Sequence, residues 1–139
     1  MTPLVKRSVA LALIDEAGRL LLVRRPPDDA ELPDVWGLPA ATLAPDESWE
    51  EAAQRAARDK LGVVIEELEP IAAGFQQRGN ARLDMRLFRA RVAAGRPAVP
   101  QPHPEVTQYS ALQWGDASAL VPGAARGSLC CRLMLEAES

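Results

Sequence analysis

The stretch GLPAATLAPDESWEEAAQRAARDKLGV, residues 37–63, sets the reading of the whole chain. Pro45, Asp46 and Ser48 are start signals, Glu50 and Glu51 would sit in a first turn where the helix dipole favours acids, and Gly62 follows Leu61 as a stop. The spacing predicts a helix over about residues 48–61, with Ala52, Ala53, Ala56, Ala57 and Leu61 as a small apolar surface that lets it pack close to neighbouring backbone. The same stretch places Glu47, Glu51, Arg55, Arg58, Asp59 and Lys60 on or beside that helix. The question is whether these charges form a carboxylate cluster for a metal-dependent phosphate enzyme or are what remains of one.

On the N-terminal side, residues 8–14 and 19–23 are apolar runs separated by the turn chemistry of Asp15 to Gly18, which predicts two strands joined by a tight hairpin. PPDDAELPD, residues 26–34, is a polar, proline-rich loop of the kind that borders ligand sites, and residues 36–38 form a short strand ending before Pro39. On the C-terminal side, residues 71–77 and 82–92 are expected as strands around a turn at 78–80, the second with Leu83, Met85 and Leu87 alternating with Asp84, Arg86 and Arg89. A long loop follows over 93–104, then a strand over 106–114 and helices over 116–120 and 128–136. No repeat or interdomain linker is evident, so a single domain over 1–139 is expected.

Composition narrows the function. The 139 residues are 47% hydrophobic and 25% charged, enough for one substantial core. A net charge of −3 argues against polymeric nucleic acid as a partner, since such binding relies on clustered cations. No apolar run approaches the length of a membrane helix and no signal peptide is evident, so a cytoplasmic protein is expected. Cys130 and Cys131, adjacent and the only cysteines, read as buried free thiols rather than a disulfide. Arg24, Arg25, Arg78, Arg82 and Arg86 either lie solvated on the surface or converge on one small anionic ligand.

The order of these elements and the opening stretch together resemble the Nudix hydrolases. That family's signature is a glycine, a glutamate six residues later, then an Arg-Glu-aliphatic-x-Glu-Glu run and a closing x-Gly-aliphatic. Here Glu47 matches the first glutamate, Arg55 the arginine, and Gly62 with Val63 the closing pair, while GRLLLVRR, WGLP and LQW resemble the family's surrounding sequence. The departures fall on the chemistry. Ala41 replaces the first glycine, and Ala56, Asp59 and Lys60 stand where the resemblance implies three metal-binding glutamates. The formal charge of that trio thereby rises from −3 to zero. At ~4 Å an added cation repels a bound metal by roughly a kcal/mol per unit charge even in water, so metal affinity should fall.

The resemblance implies an α/β/α sandwich with a mixed central sheet, the degenerate box covering residues 41–63. It also implies hydrolysis of a nucleoside diphosphate-linked substrate with weakly held Mg2+ or Mn2+. Residues three and four apart share one helix face, and magnesium held by such acids neutralises phosphate charge and activates water. On this reading Glu47 and Asp59 are the metal ligands, Glu47, Asp59 and Glu105 the catalytic acids, and Arg24, Arg55, Lys60 and Arg82 the substrate-binding cations. Each residue also has a plainer role. Glu47 and Arg55 can simply brace the loop, Asp59 can belong to a Glu51–Arg55–Asp59 ladder, and Lys60 is either a solvated helix-end cation or one that meets a phosphate directly. Glu105 and His103 are loop residues by default. Trp36, Phe75, Tyr109 and Trp114 are core aromatics or a base-stacking surface, and Trp49 is a contact or homodimer patch. The alternative to a hydrolase is a Nudix-fold nucleotide-binding module with impaired turnover, holding a small phosphorylated ligand and no metal.

Overall fold

The computed structural model describes residues 4–99 and 109–138. Strands β1 (Leu4–Leu13), β2 (Leu20–Arg24), β3 (Trp36–Gly37) and β4 (Ala40–Thr42) precede helix α1 (Trp49–Leu61). Strands β5 (Val64–Arg78), β6 (Ala81–Ala94) and β7 (Ala111–Gly115) follow, then a 3-10 turn (Ala117–Leu120) and helices α2 (Val121–Ala125) and α3 (Leu129–Glu138). Four strands form a mixed sheet in the order β4-β1-β6-β5, in which β1 and β6 run parallel and the other pairs antiparallel. Three more form an antiparallel sheet in the order β3-β2-β7.

The period-2 pattern of the strands divides the core in two. Val9, Leu11 and Leu13 of β1, Leu21 and Val23 of β2, and Phe88 and Ala90 of β6 pack with the buried alanines of α1. Ala10 and Ala12, Leu20 and Leu22, and Leu83, Met85 and Leu87 pack on the opposite side with Leu129, Cys131, Leu133 and Met134 of α3. Helices on both faces of a mixed sheet make the α/β/α sandwich that the sequence implies.

The hairpin expected over residues 8–23 forms only at its turn. Asp15 Oδ1 accepts from the amides of Ala17 and Arg19, and Ile14 bridges Leu20, but β1 and β2 then diverge into different sheets. Both edges of β1 are already taken, by β4 and β6, so β2 finds its partners in β3 and β7. The strand expected at 71–77 begins at Val64 instead, running through register shifts between Glu66 and Ala72, where Glu67 adopts φ 57°.

Helix α1 follows its local signals closely. Ser48 Oγ accepts from the Glu51 amide at 3.1 Å while the Glu51 carboxylate accepts from the Ser48 amide at 3.0 Å, a reciprocal cap. At the other end Gly62 turns to φ 71° and its amide reaches the Arg58 carbonyl at 3.0 Å. These two ends fix which residues of α1 reach β4.

Candidate functional site

Helix α1 is stapled to β4 by two cations. Arg55 Nη2 donates to the Thr42 carbonyl at 2.7 Å, and Lys60 Nζ donates to the Ala40 carbonyl at 2.5 Å. Ala40 is held through its other backbone group as well, its amide donating to the Tyr109 hydroxyl at 3.2 Å. Lys60 Nζ also lies 5.5 Å from the centre of the Tyr109 ring. Lys60 is half-buried as a residue, but its ammonium end is desolvated, and that burial, with Arg25, Arg55 and Lys6 nearby, brings its pKa down to about 8. Burial pushes the Tyr109 phenol up to about 12.

Beside these two side chains lies a cleft of about 220 Å³. Strand parity builds its floor. Lys6 and Ser8 of β1 pair with Leu83 and Met85 of β6, so cation, hydroxyl and apolar side chains alternate across one face. Lys60, Arg25 and Arg78 add three more cations to the lining, and Leu38, Tyr109, Leu129 and Cys130 line it too. Arg25 is fixed through Nη2 to Asp29 at 3.0 Å, while its buried Nε has no protein partner. Arg78 pairs with Glu31 at 2.7 Å, both side chains well exposed.

The residues singled out in sequence go to several places. Glu47 and Arg55 form a bidentate pair, Nε to Oε2 at 2.8 Å and Nη2 to Oε1 at 2.8 Å, and Glu47 also accepts the Ala44 amide at 3.0 Å. The Arg55 guanidinium holds the Glu47 carboxyl down at about 2. Asp59 faces solvent beside Arg58 at 3.2 Å and does not line the cleft. Ala56 is buried in the core at 1% exposure. Arg24 pairs with Asp34 at 3.5 Å, and Arg82 with Asp84 at 2.6 Å while lying 4.1 Å over the Phe75 ring. Trp49 is half-buried under the Arg86 guanidinium at 4.5 Å. His103 and Glu105 lie outside the described residues. Of the five arginines considered for convergence, Arg25 and Arg78 meet at the cleft, whereas Arg24, Arg82 and Arg86 do not line it.

Sequence reasoning gave Lys6 and Cys130 no part in a ligand site. Lys6 could be found only by carrying the alternation of β1 back from Ala10 and Ala12 to its exposed end. Cys130 is half-buried at the cleft, with Sγ 3.4 Å from Ser128 Oγ, while Cys131 is the fully buried thiol.

A helix anchored on a short strand, beside a cleft with four cations in its lining, on a mixed sheet covered by helices on both faces, defines an α/β/α sandwich with a basic cleft. Residues 4–128 match the NUDIX domain, and the chain belongs to that family. It is 33% identical over 124 residues to an isopentenyl-diphosphate Delta-isomerase of Clavibacter michiganensis, a match covering 81% of this chain. The chain spans about 59% of the length of that relative. The fold is also that of a MutT NUDIX hydrolase from Burkholderia pseudomallei, with TM-score 0.70, 22% identity and coverage of 82% and 84% of the two chains. The NUDIX domain of Shewanella oneidensis NrtR, solved with ADP ribose, gives TM-score 0.65 at 17% identity, covering 99% of this chain and 86% of that one.

Nudix enzymes generally use divalent metals such as Mg2+. The described residues are a poor match for such an ion. Both Glu47 oxygens are engaged by Arg55 and the Ala44 amide, Asp59 is paired with Arg58, and an ammonium extends to β4. Among the described residues no group of three or more His, Cys, Asp or Glu side chains is placed to hold a metal. Likewise no helix among them is long and apolar enough to cross a membrane.

Proposed function

We propose that the chain binds small organic diphosphates in the cleft of Lys6, Arg25, Lys60 and Arg78, and that it hydrolyses them slowly. The observation that carries this is the Lys60 ammonium, desolvated and anchored on Ala40 at the position where the family signature has a metal-binding glutamate. A cation fixed there supplies part of the charge a metal would bring, and it needs no reorganisation when phosphate arrives. It also lacks the capacity to activate a water molecule as a metal does, so tight binding and slow turnover go together. The diphosphate in the name of the Clavibacter relative, and the one within the ADP ribose bound by the NrtR domain, support this head group.

The test is calorimetric titration of inorganic pyrophosphate in the presence of EDTA. Binding should persist without metal, and Lys60→Met should weaken it by about 10- to 100-fold, the value of a charge-assisted hydrogen bond of roughly 1.5–3 kcal/mol. Binding that appears only with Mg2+, or that survives the substitution unchanged, would refute it.

Family membership favours a second reading, metal-assisted pyrophosphohydrolysis of a nucleoside diphosphate-linked substrate. Glu47 and Asp59, joined by Glu105, would then be the acids for Mg2+ or Mn2+, and Arg24, Arg55 and Arg82 the phosphate cations. Titration of Mn2+ into the protein, followed by formation of AMP and ribose 5-phosphate from ADP ribose, separates this reading from the first. We place the protein in the cytoplasm, and sedimentation of Trp49→Ala against the parent chain tests a homodimer through that residue.

A further inference from the structure

We infer that the outer edge of β5 over residues 71–77 pairs antiparallel with the same edge of a second copy of this chain, joining two four-stranded sheets into one. The pairing is independent of the cleft and of what the cleft binds.

Strand β5 ends its sheet, and among the described residues no strand lies beyond it. A row of unpaired backbone donors and acceptors on such an edge is a template for another strand, and proteins ordinarily blunt it. The two halves of β5 differ in this respect. In the first half the Gln54 side chain closes the edge at Ile65, donating to its carbonyl at 2.8 Å and accepting from its amide at 3.4 Å. Register shifts follow between Glu66 and Ala72, Glu67 turns to φ 57°, and Pro70 has no amide to donate. Glu66, Glu67 and Glu69 add charge to the same half. The second half has none of these devices. IAAGFQQ, residues 71–77, carries no charge and no proline, and from Ala72 to Arg78 the strand pairs with β6 without a shift.

The turn decides which groups point outward. Arg78 and Ala81 are joined by two residues, with Gly79 at φ 59°, so they are the hydrogen-bonded pair that closes the hairpin. Alternation then aims the backbone groups of Gln76, Gly74 and Ala72 at β6 and those of Gln77, Phe75 and Ala73 away from it. The side chains of the outward set share one face, where Phe75 is 56% exposed although Arg82 lies 4.1 Å over its ring.

A second copy fits this edge because the segment is complementary to itself. About a two-fold axis at Gly74, Phe75 of each copy lies against Ala73 of the other, and Gln77 against Ile71. The small Ala73 leaves room for the ring, and Gly74 brings no side chain to the axis. Charge selects the direction. Three glutamates precede the segment and Arg78 follows it, so an antiparallel pair sets the basic end of each copy beside the acidic end of the other. A parallel pair would set like charges together. Arg132, which passes close to Gly74, is already paired with Glu136 at 3.3 Å and brings no uncompensated charge to the axis.

Sedimentation equilibrium of the full chain over a wide concentration range should show a reversible dimer. Phe75→Lys and Ala73→Lys put like charges on the two facing edges and should each weaken it by about tenfold or more, with circular dichroism and Tm confirming that both variants stay folded. Trp49→Ala should leave the dimer intact, which separates this edge from a contact through that residue. Amide exchange followed by NMR at low and high protein concentration reads the register. The amides of Ala73, Phe75 and Gln77 should exchange more slowly at high concentration, and those of Gly74 and Gln76 should not change. A chain that stays monomeric, a dimer that responds to Trp49→Ala but to neither lysine variant, or amides at Ala73 and Phe75 whose exchange ignores concentration would overturn the inference.

Discussion

Replacing Lys60 with methionine should change how stability responds to pH more than it changes stability at neutrality. In the folded chain the Lys60 pKa is about 8, against 10.5 for the free side chain. Between those values the unfolded chain holds a proton that the folded chain has lost, so stability rises as pH goes up through this window. Below about 8 both states are charged, and the fold bears the full cost of sheltering the ammonium. At ~1.4 kcal/mol per pH unit the gap corresponds to about 3 kcal/mol, and solvent screening of a half-buried residue lowers this to about 2 kcal/mol. At pH 7 the variant sheds that cost but forfeits the hydrogen bond to Ala40, worth roughly 1.5–3 kcal/mol, so the two proteins should differ little there. Urea unfolding at half-unit steps from pH 7 to 10 supplies the assay, read as the difference between the two proteins so that other titrating groups cancel. The parent chain should gain about 2 kcal/mol relative to Lys60→Met across the series. Parallel curves would refute the reasoning, since they would mean that Lys60 carries its charge in water and not in the cleft.

Glu47→Gln should lower stability by about 1 kcal/mol at pH 7 through loss of the bidentate Arg55 pair. Because the carboxyl is held at about 2, the contribution is complete above its ordinary value of 4.5 and fades as pH falls towards 2, so urea midpoints of the two proteins should converge in acid. Ser48→Ala removes the reciprocal cap of α1 and should cost about 1 kcal/mol, seen as a lower Tm with an unchanged circular dichroism spectrum. Gly123→Ala puts a methyl 2.8 Å from Val35 Cγ1, 2.9 Å from Cys131 Sγ and 3.2 Å from the Trp36 carbonyl. That crowding should cost about 2 kcal/mol in urea unfolding, and a cost near zero would mean that α2 does not pack against β3 as described.

The legibility of the sequence followed the range of the interactions involved. Helix α1 was readable because its cap, its dipole-matched acids and its glycine stop all lie within residues 48–62. The division of β1 and β2 between sheets was not, because it is decided by β4, β6 and β7, far away in the chain. The first half of β5 was masked by Glu66, Glu67, Glu69 and Pro70, whose strand geometry is imposed by pairing with β6. Helix α2 was hidden by Pro122 and Gly123, yet a proline in the first turn of a helix loses no hydrogen bond. At the site, Arg24 and Arg25 are neighbours in sequence and look equivalent, but alternation along β2 and its exit sends only Arg25 to the cleft. For Lys60 the sequence allowed either solvent or phosphate, and no local pattern distinguishes the two. The difference lies in Ala40 and Tyr109, twenty and forty-nine residues away.

The three positions at which the family signature carries metal-binding glutamates have separate fates in this chain. Ala56 belongs to the core, Asp59 faces solvent with Arg58, and Lys60 reaches across to β4. Restoring acids at Ala56 and Lys60 is therefore not a simple reversal. A glutamate at 56 would start from a position with 1% exposure and would have to displace its apolar neighbours or sit uncompensated among them. A glutamate at 60 would turn a donor on the Ala40 carbonyl into an acceptor facing an acceptor, and would take away one of the two cations that hold α1 to β4. What resembles a partly erased metal site is, in physical terms, a different arrangement of charge around the same helix, with Lys60 joining the helix to the strand and the strand to the cleft.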